Sequence, residues 1–354
     1  MNPDWQAYLQ SQHALIENGR VAHFSDAAAE LSTTQSATVV TDLSHFDLIQ
    51  FAGEDAQSFL QGQLTCDVSK VGSPAAAVAT YGGYCNPKGR MLASFLLWRD
   101  NSGGYLMQLP SALRAGIQKR LAMYVLRAKV TLAADPGDSL VRIGVAGSHA
   151  GALVQSILGE ISPLPLGVSQ GERGSVISLS EERFELIIAH EHTAAVWQGL
   201  RKGARPVGAA CWDWLDIKAG IPVILPETQE QFVPQMVNLD VIGGVSFEKG
   251  CYPGQEIVAR TQYLGKIKRR MYLAGIKVQP GRAAMPIRAG DELFSADMGD
   301  QSSGTVVNAA PSPGGGYDVL AVIQISSAEA SQIHWTSPDG PALEIMPLPY
   351  AVDP

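Results

Sequence analysis

The chain has 354 residues, 46% hydrophobic and 17% charged, a composition that excludes a disordered protein and implies two or three folded domains. Its net charge of -8 opposes a broad phosphate-binding surface, so direct nucleic-acid binding is not expected. No apolar run reaches the roughly 18 residues of a membrane span, and the start MNPDWQAYLQSQHALIENGR has neither a basic, apolar-cored leader nor an Arg-rich one. A cytoplasmic location without membrane attachment is therefore expected.

Residues 1–36 read as a helix and a polar, alanine-rich lead-in with no visible chemistry. Alternating apolar and polar residues over 38–51, interrupted by Asp-Leu-Ser-His, predict a hairpin. Gly53-Glu54-Asp55 then opens a helix that buries Phe59 and Leu60 and ends near Gly62. Asn86-Pro87-Lys88-Gly89 is a turn by composition, followed by a buried strand over 91–98 and another over 105–109. Ser111 caps a helix whose Leu113, Ile117, Leu121 and Val125 share one apolar face.

From 130 to 208, strands over 130–133, 140–145, 176–179 and 184–189 alternate with helices over 151–158 and 193–202, an α+β arrangement. Residues 162–174, rich in Pro and Gly, read as an exposed loop. Gly144, Gly147 and Gly151 do not fit G-x-G-x-x-G. A helix carrying Trp212, Leu215 and Ala219 on one side ends at Gly220. Beyond Arg270 the pattern is short strands with Gly/Pro/Ser turns, over 271–278, 292–296, 304–308, 317–325 and 333–346, which predicts a small β-barrel or sandwich without helices.

The four cysteines, Cys66, Cys85, Cys211 and Cys251, make no C-x-x-C pair, and no histidine motif accompanies them, so no metal site is expected. One of them lies in the stretch Lys249-Gly250-Cys251-Tyr252-Pro253-Gly254-Gln255-Glu256, a tight turn entering a helical pattern over 257–263. Pro253 is expected to begin that helix and Cys251 to precede it, where the unpaired N–H groups and Lys249 favour thiolate over thiol. A small buried residue under a turn is the competing reading of Cys251. Just beyond, Lys266, Lys268, Arg269 and Arg270 read either as a solvated segment or as a docking patch.

The octapeptide, with Val258-Ala259-Arg260 and Gly265, resembles the signature of the YgfZ family. These are folate-binding proteins related to the aminomethyltransferase (T-protein) of the glycine cleavage system, and they support iron–sulfur enzymes and tRNA thiolation. The segment FAGEDAQSFLQGQLTCDV is similar to a second family pattern. The resemblance spans about 41–274. It implies an aminomethyltransferase-like folate-binding region over 37–267, built of two interleaved subdomains, between the lead-in 1–36 and a C-terminal β-barrel over 268–354.

Carried over residue by residue, the resemblance makes Cys251 and Lys249 the catalytic candidates and Gly250, Tyr252, Gly254, Gln255, Glu256 and Arg260 their motif. It places Phe46 and Trp212 against a tetrahydrofolate derivative; Gln235 and Asn238, amides able both to donate and to accept, are second candidates for its polar contacts. Lys218 stands where relatives have Glu, a reversal of charge that bears on ligand specificity. Reduced folate and iron–sulfur proteins or cluster-assembly factors are the implied partners.

The alternative is a folate-dependent aminomethyl or methyl transferase. Where the aminomethyltransferase has an Asp after its glycine turn, Gly89 is followed by Arg90, Met91, Leu92, Ala93 and Ser94. Without a titratable group, glycine-cleavage chemistry is expected to be absent. A cysteine hydrolase is weaker still, because no histidine can be paired with Cys251 from the sequence.

Overall fold

Asn2 starts the first ordered element: its side-chain oxygen accepts from the N–H groups of Asp4 (2.9 Å) and Trp5 (3.0 Å), and Pro3 fills the first helical position, where no N–H is needed. The structure, a computed structural model, describes residues 1–72, 77–134, 139–277 and 286–352. In chain order its elements begin with α1 (Pro3–Ser11), β1 (Leu15–Glu17), β2 (Arg20–His23), α2 (Ala27–Ser36), β3 (Val39–Asp42), β4 (Phe46–Ala52) and α3 (Ala56–Gln61). There follow β5 (Thr80–Cys85), β6 (Met91–Arg99), β7 (Tyr105–Pro110), α4 (Ser111–Ala122), β8 (Thr131–Ala134), β9 (Leu140–Ala146) and α5 (Ala150–Leu158). Next are β10 (Gly167–Gly171), β11 (Gly174–Ser180), β12 (Arg183–Ala189), α6 (His190–Leu200), β13 (Arg205–Pro206), α7 (Ala209–Lys218) and α8 (Gln255–Tyr263). The last are β14 (Arg269–Ile276), β15 (Glu292–Ser295), β16 (Ser302–Pro311), β17 (Tyr317–Gln324), α9 (Ile325–Ala330), β18 (Ile333–Trp335) and β19 (Leu343–Met346).

These elements group into two units. Unit 1 comprises Met1–Leu60, Asp67–Thr80 and Phe95–Trp212, and unit 2 comprises Gln61–Cys66, Tyr81–Ser94 and Asp213–Pro354. Among the described residues no helix is long and apolar enough to cross a membrane.

Unit 1 is built on the sheet β10-β11-β12-β9-β3-β13, antiparallel except for the β13–β3 pair. Strand alternation sends Val141, Ile143 and Val145 of β9 and Phe184, Leu186 and Ile188 of β12 into one core with Trp5, Leu9 and Trp197. The residues between them, Arg142, Gly144, Arg183 and Glu185, belong to the other face. The lead-in is thus part of the core: Trp5 meets Trp197 edge-on at 5.4 Å and donates from Nε1 to Asp42 Oδ1 at 2.7 Å.

The hairpin expected over 38–51 does not form, because β3 pairs with β9 and β13 while β4 pairs with β7 and β8. Asp42 is the reason. Its carboxylate accepts from Ser44 N (3.0 Å) and Ser44 Oγ (2.8 Å) as well as Trp5, and Phe46 N closes on Leu43 O, so the turn splays the two strands apart. The loop expected over 162–174 contains β10, an edge strand in register with β11 from Gly167↔Ser178 to Gly171↔Gly174. Its glycines and serines conceal a strand held by backbone bonds rather than side-chain burial. The helix expected to start at 193 begins at His190, whose ring reaches Asp4 at 3.7 Å.

Unit 2 ends in a curled six-stranded half-barrel, β18-β15-β16-β17-β14-β19, with Ile276, Leu293, Val306, Val319, Ile323 and Trp335 among its buried residues. Four of the expected strands are present, although Val278, the expected end of the first, lies outside the described residues; the single strand expected over 333–346 is instead two, β18 and β19, at opposite ends of the sheet order. The short helix α9 was not expected; six residues are too few to show a helical period. Trp214 Nε1 donates to Asp318 Oδ2 at 2.8 Å, and Tyr350 donates to Gly220 O at 2.7 Å. Lys218, the charge-reversed position, reaches the same Asp318 carboxylate at 3.6 Å, so its cation has a partner within the fold.

Candidate functional site

In unit 2 three short stretches converge on the turn 249–254. Lys249 is buried, and its Nζ donates to Gln61 O at 2.6 Å and to Leu64 O, and lies 5.1 Å over the Tyr252 ring. Two carbonyl dipoles and a π-face form a cage for an ammonium group. Thr65, fully buried, donates from Oγ1 to Gly244 O at 2.6 Å while accepting from Gly83 N at 2.8 Å. The LQGQLT element is thereby tied both to the approach to the signature and to β5.

The third stretch is Asn86-Pro87-Lys88-Gly89. Gly254, at φ 81°, is packed so closely that a Cβ there would lie 2.5 Å from Asn86 O and 2.6 Å from both Gly89 Cα and N. A Cβ at Gly89, at φ 71°, would lie 3.0 Å from Ile257 Cβ and 3.2 Å from Gly254 O. Two left-handed turns therefore interlock backbone to backbone, an approach only glycine permits. Gly254 is also the N-cap of α8, so the helix starts at Gln255 and not at Pro253, which sits in the turn ahead of it. The left-handed cap displaces the start that proline alone would set.

Held this way, Cys251 is exposed whereas Cys66, Cys85 and Cys211 are buried. Burial pushes the Cys85 thiol up to about 12 from 9.0 and, with the nearby Cys85 and Cys66 thiols, raises Tyr252 as well. Burial likewise raises Tyr350 to about 12 from 10.0. The unfolded chain ionises these groups first, so their contribution is intact below pH 9 and is lost as pH rises from about 9 to 12. Each group removes about 1.4 kcal/mol per pH unit within its window. Urea unfolding at pH 10.5 is expected to show about 2 kcal/mol less stability than at pH 8 from Cys85 alone, and Cys85→Ala to recover that share. Equal midpoints at the two pH values would refute this.

The remaining signature residues are placed as follows. Gly250 is exposed, a Cβ added there would meet nothing within 4 Å, and Gln255 N bonds Tyr252 O at 3.1 Å. Arg260 pairs with Glu256 at 3.1 Å one helical turn away, both exposed. Gln235 lies within a short 3-10 turn, Pro234–Val237, and Asn238 caps its C-terminal end; both are fully buried. Gln235 Nε2 donates to Val258 O (2.7 Å) and Asn238 Nδ2 to Met271 O (2.9 Å). Their amide oxygens, Oε1 and Oδ1, have no hydrogen-bond partner. Arg270 also belongs to this staple, donating to Gln235 O at 2.7 Å and to Asp240 at 2.9 Å. Among the described residues its side chain is the one of the Lys266–Arg270 cluster that bonds within the fold.

Phe46 and Trp212 both lie in unit 1, and among the described residues their rings do not stack on each other. Phe46, on β4, packs on His45 with ring centroids 4.5 Å apart. Trp212, 1% exposed, rests on Gly144, where a Cβ would come within 2.5 Å of the indole, and the Arg183 guanidinium lies 4.6 Å from its ring centre. On the same face Gln108 Nε2 donates to Glu185 Oε2 at 2.7 Å. Trp212 Nε1 and Gln108 Oε1 are buried without a partner. That orphaned donor and acceptor suit the polar edge of a pterin in kind, although the indole is already stacked by Arg183. Sequence reasoning passed over Arg183, Glu185 and Gln108. The available signal was the pair of charges two apart in the otherwise apolar strand RFELIIA. Among the described residues no cluster of His, Cys, Asp and Glu could hold a metal ion.

Comparison with known proteins gives the following. The family model of the GCVT N-terminal domain matches residues 6–170. The tRNA-modifying protein YgfZ of Sodalis glossinidius (strain morsitans) is 33% identical over 326 residues, covering 91% of this chain and 96% of the relative. The protein of the same name from Enterobacter sp. (strain 638) is 33% identical over 316 residues, covering 88% and 93%. That from Klebsiella pneumoniae (strain 342) is 32% identical over 326 residues, covering 91% and 96%. Among solved structures, the glycine cleavage system aminomethyltransferase T from Bartonella henselae superposes with a TM-score of 0.79 at 17% identity, over 98% of this chain and 97% of that one. This last likeness is one of fold.

Proposed function

The chain belongs to the YgfZ family, and from that membership we propose that it acts in tRNA modification as a reduced-folate-binding protein supporting iron–sulfur enzymes, with Cys251 as its reacting group. The observation that carries this reading is the presentation of Cys251. Of four thiols it alone is exposed, on a turn fixed by the Gly89–Gly254 contact and the caged Lys249 ammonium. So much backbone constraint around one exposed side chain serves the placement of that side chain. Lys249 acts by holding the turn to the LQGQLT element. Its ammonium is occupied by carbonyl oxygens, which suits a positioning role better than proton transfer.

For the folate, Phe46, Trp212, Gln108 and Glu185 are the residues of unit 1 that would hold a pterin, stacking on its plane and bonding its edge. The bound folate would supply a carrier of one-carbon groups. A transferase reading gains no support at the Asp position after Gly89: Ser94 lies on β6, and its Oγ accepts from Ile224 N at 2.9 Å.

In a deletion strain, Cys251→Ala is expected to reduce iron–sulfur-dependent tRNA thiolation to the level of the deletion. The purified variant should keep its urea midpoint and its calorimetric titration with tetrahydrofolate. Full complementation by this variant refutes the role of the thiol, and absence of heat with tetrahydrofolate in the parent refutes the folate.

A further inference from the structure

The stretch from 257 to 290 contains eight Lys and Arg and no Asp or Glu, in a chain whose net charge is -8. It begins with α8, the helix that leaves the Cys251 turn. At the far end of α8, Tyr263 is 69% and Leu264 85% exposed, high values for an adjacent aromatic and aliphatic pair. Tyr263 folds back to meet Phe247 edge-on at 6.0 Å, and Phe247 is only four residues before Cys251. Around this apolar shelf, Lys266 and Lys268 are exposed and Arg269 half-buried, and their side-chain nitrogens have no partner among the described residues. Nine helical residues span about 13 Å, so shelf, cations and thiol lie within the footprint of one docked protein.

We infer that this shelf is the docking surface for an acidic polypeptide that presents a disulfide to Cys251, whose sulfur attacks one of the two disulfide sulfurs while the other leaves with the electron pair. The inference rests on the reading of Cys251 given above and adds the recognition element to it. An apolar centre rimmed by cations fits an apolar side chain rimmed by carboxylates. A polynucleotide fits less well. Outside the stretch the chain is more acidic than its total, which repels an extended polyanion. Glu248 and Glu256 are exposed beside the turn, and Glu256 is paired with Arg260. The partner's carboxylates therefore align with the C-terminal end of α8 and its disulfide with the N-terminal end.

The test uses the full-length protein and two synthetic peptides, one Asp/Glu-rich and one Lys-rich, each carrying a central Leu and a cysteine activated as its thionitrobenzoate disulfide. Cys251 sulfur attacks the peptide sulfur, the old S–S bond breaks, and coloured thionitrobenzoate leaves with the electron pair. The Cys251 proton passes to solvent. At low salt the acidic peptide is expected to react at least tenfold faster than the basic one, the ratio falling toward one in 0.5 M salt. The triple variant K266E/K268E/R269E should invert the ratio, and Leu264→Ser should slow the acidic peptide severalfold without altering the salt dependence.

Equal rates for the two peptides, or a ratio unchanged in the triple variant, overturn the docking surface while leaving the thiol assignment standing. No exchange with either peptide overturns the thiol assignment and this inference with it. Binding of bulk tRNA through the same three cations, without peptide selectivity, would overturn the inference in favour of an RNA surface.

Discussion

Glu30→Ala is expected to destabilise unit 1 by about 3–5 kcal/mol. The Glu30 side chain is 4% exposed and accepts four hydrogen bonds. Oε1 takes Phe24 N (2.8 Å), Ser25 N (2.7 Å) and Ser25 Oγ (3.1 Å), and Oε2 takes Gly208 N (2.8 Å). It joins α2 to the end of β2 and, across 178 residues of sequence, to the start of α7. Alanine leaves the buried Gly208 N–H and the part-buried N–H groups of Phe24 and Ser25 without this acceptor, the buried one costing roughly 1–3 kcal/mol and the other two less as water reaches them. Glu30→Gln keeps the shape and one strong acceptor and should fall between alanine and the parent. Urea unfolding of the full chain measures both, and a loss below about 1 kcal/mol for the alanine variant would exclude this role.

Gly254→Ala is expected to cost about 3 kcal/mol or more. A left-handed φ costs an L-residue roughly 1–2 kcal/mol, and overpacking adds roughly 1–3. The obstructing atoms are the backbone of Asn86 and Gly89, which cannot swing aside as a side chain would. Gly250→Ala adds a Cβ that meets nothing within 4 Å and should change stability by less than about 1 kcal/mol. Because Gly254 shapes the turn, its variant should also alter the rate of Cys251 alkylation, while the Gly250 variant should retain the parent folding midpoint. Similar midpoints for the two variants would show that the interlocked turns bear no strain.

The sequence made strands such as β9, β12, β14 and β17 legible because apolar residues fill nearly every position, and α4 because Leu113, Ile117 and Leu121 recur on one face. It misled at β3 and β4, where each strand is correct but the pairing is not. Pairing was decided by Asp42, a buried side chain whose partners include Trp5, 37 residues earlier. At the site, the turn around Cys251 was readable from its glycines, yet the contact of Gly254 with Gly89 was not, since nothing in either turn names the other. The same limit applies to Lys249. A lysine beside a cysteine suggests proton chemistry, and only the fold reveals the carbonyls of Gln61 and Leu64 around its ammonium. Trp212 was singled out by resemblance, whereas Arg183 above it belongs to a strand that reads simply as core.

Thr65 has a further consequence, for biogenesis. Its hydroxyl is satisfied by the carbonyl of Gly244, 179 positions later in the chain. At about 5–20 residues per second, a ribosome needs roughly 10–35 s to deliver that acceptor after Thr65 has been made. Throughout that interval the LQGQLT segment lacks its final neighbours, making it a place for chaperones to engage the nascent polypeptide.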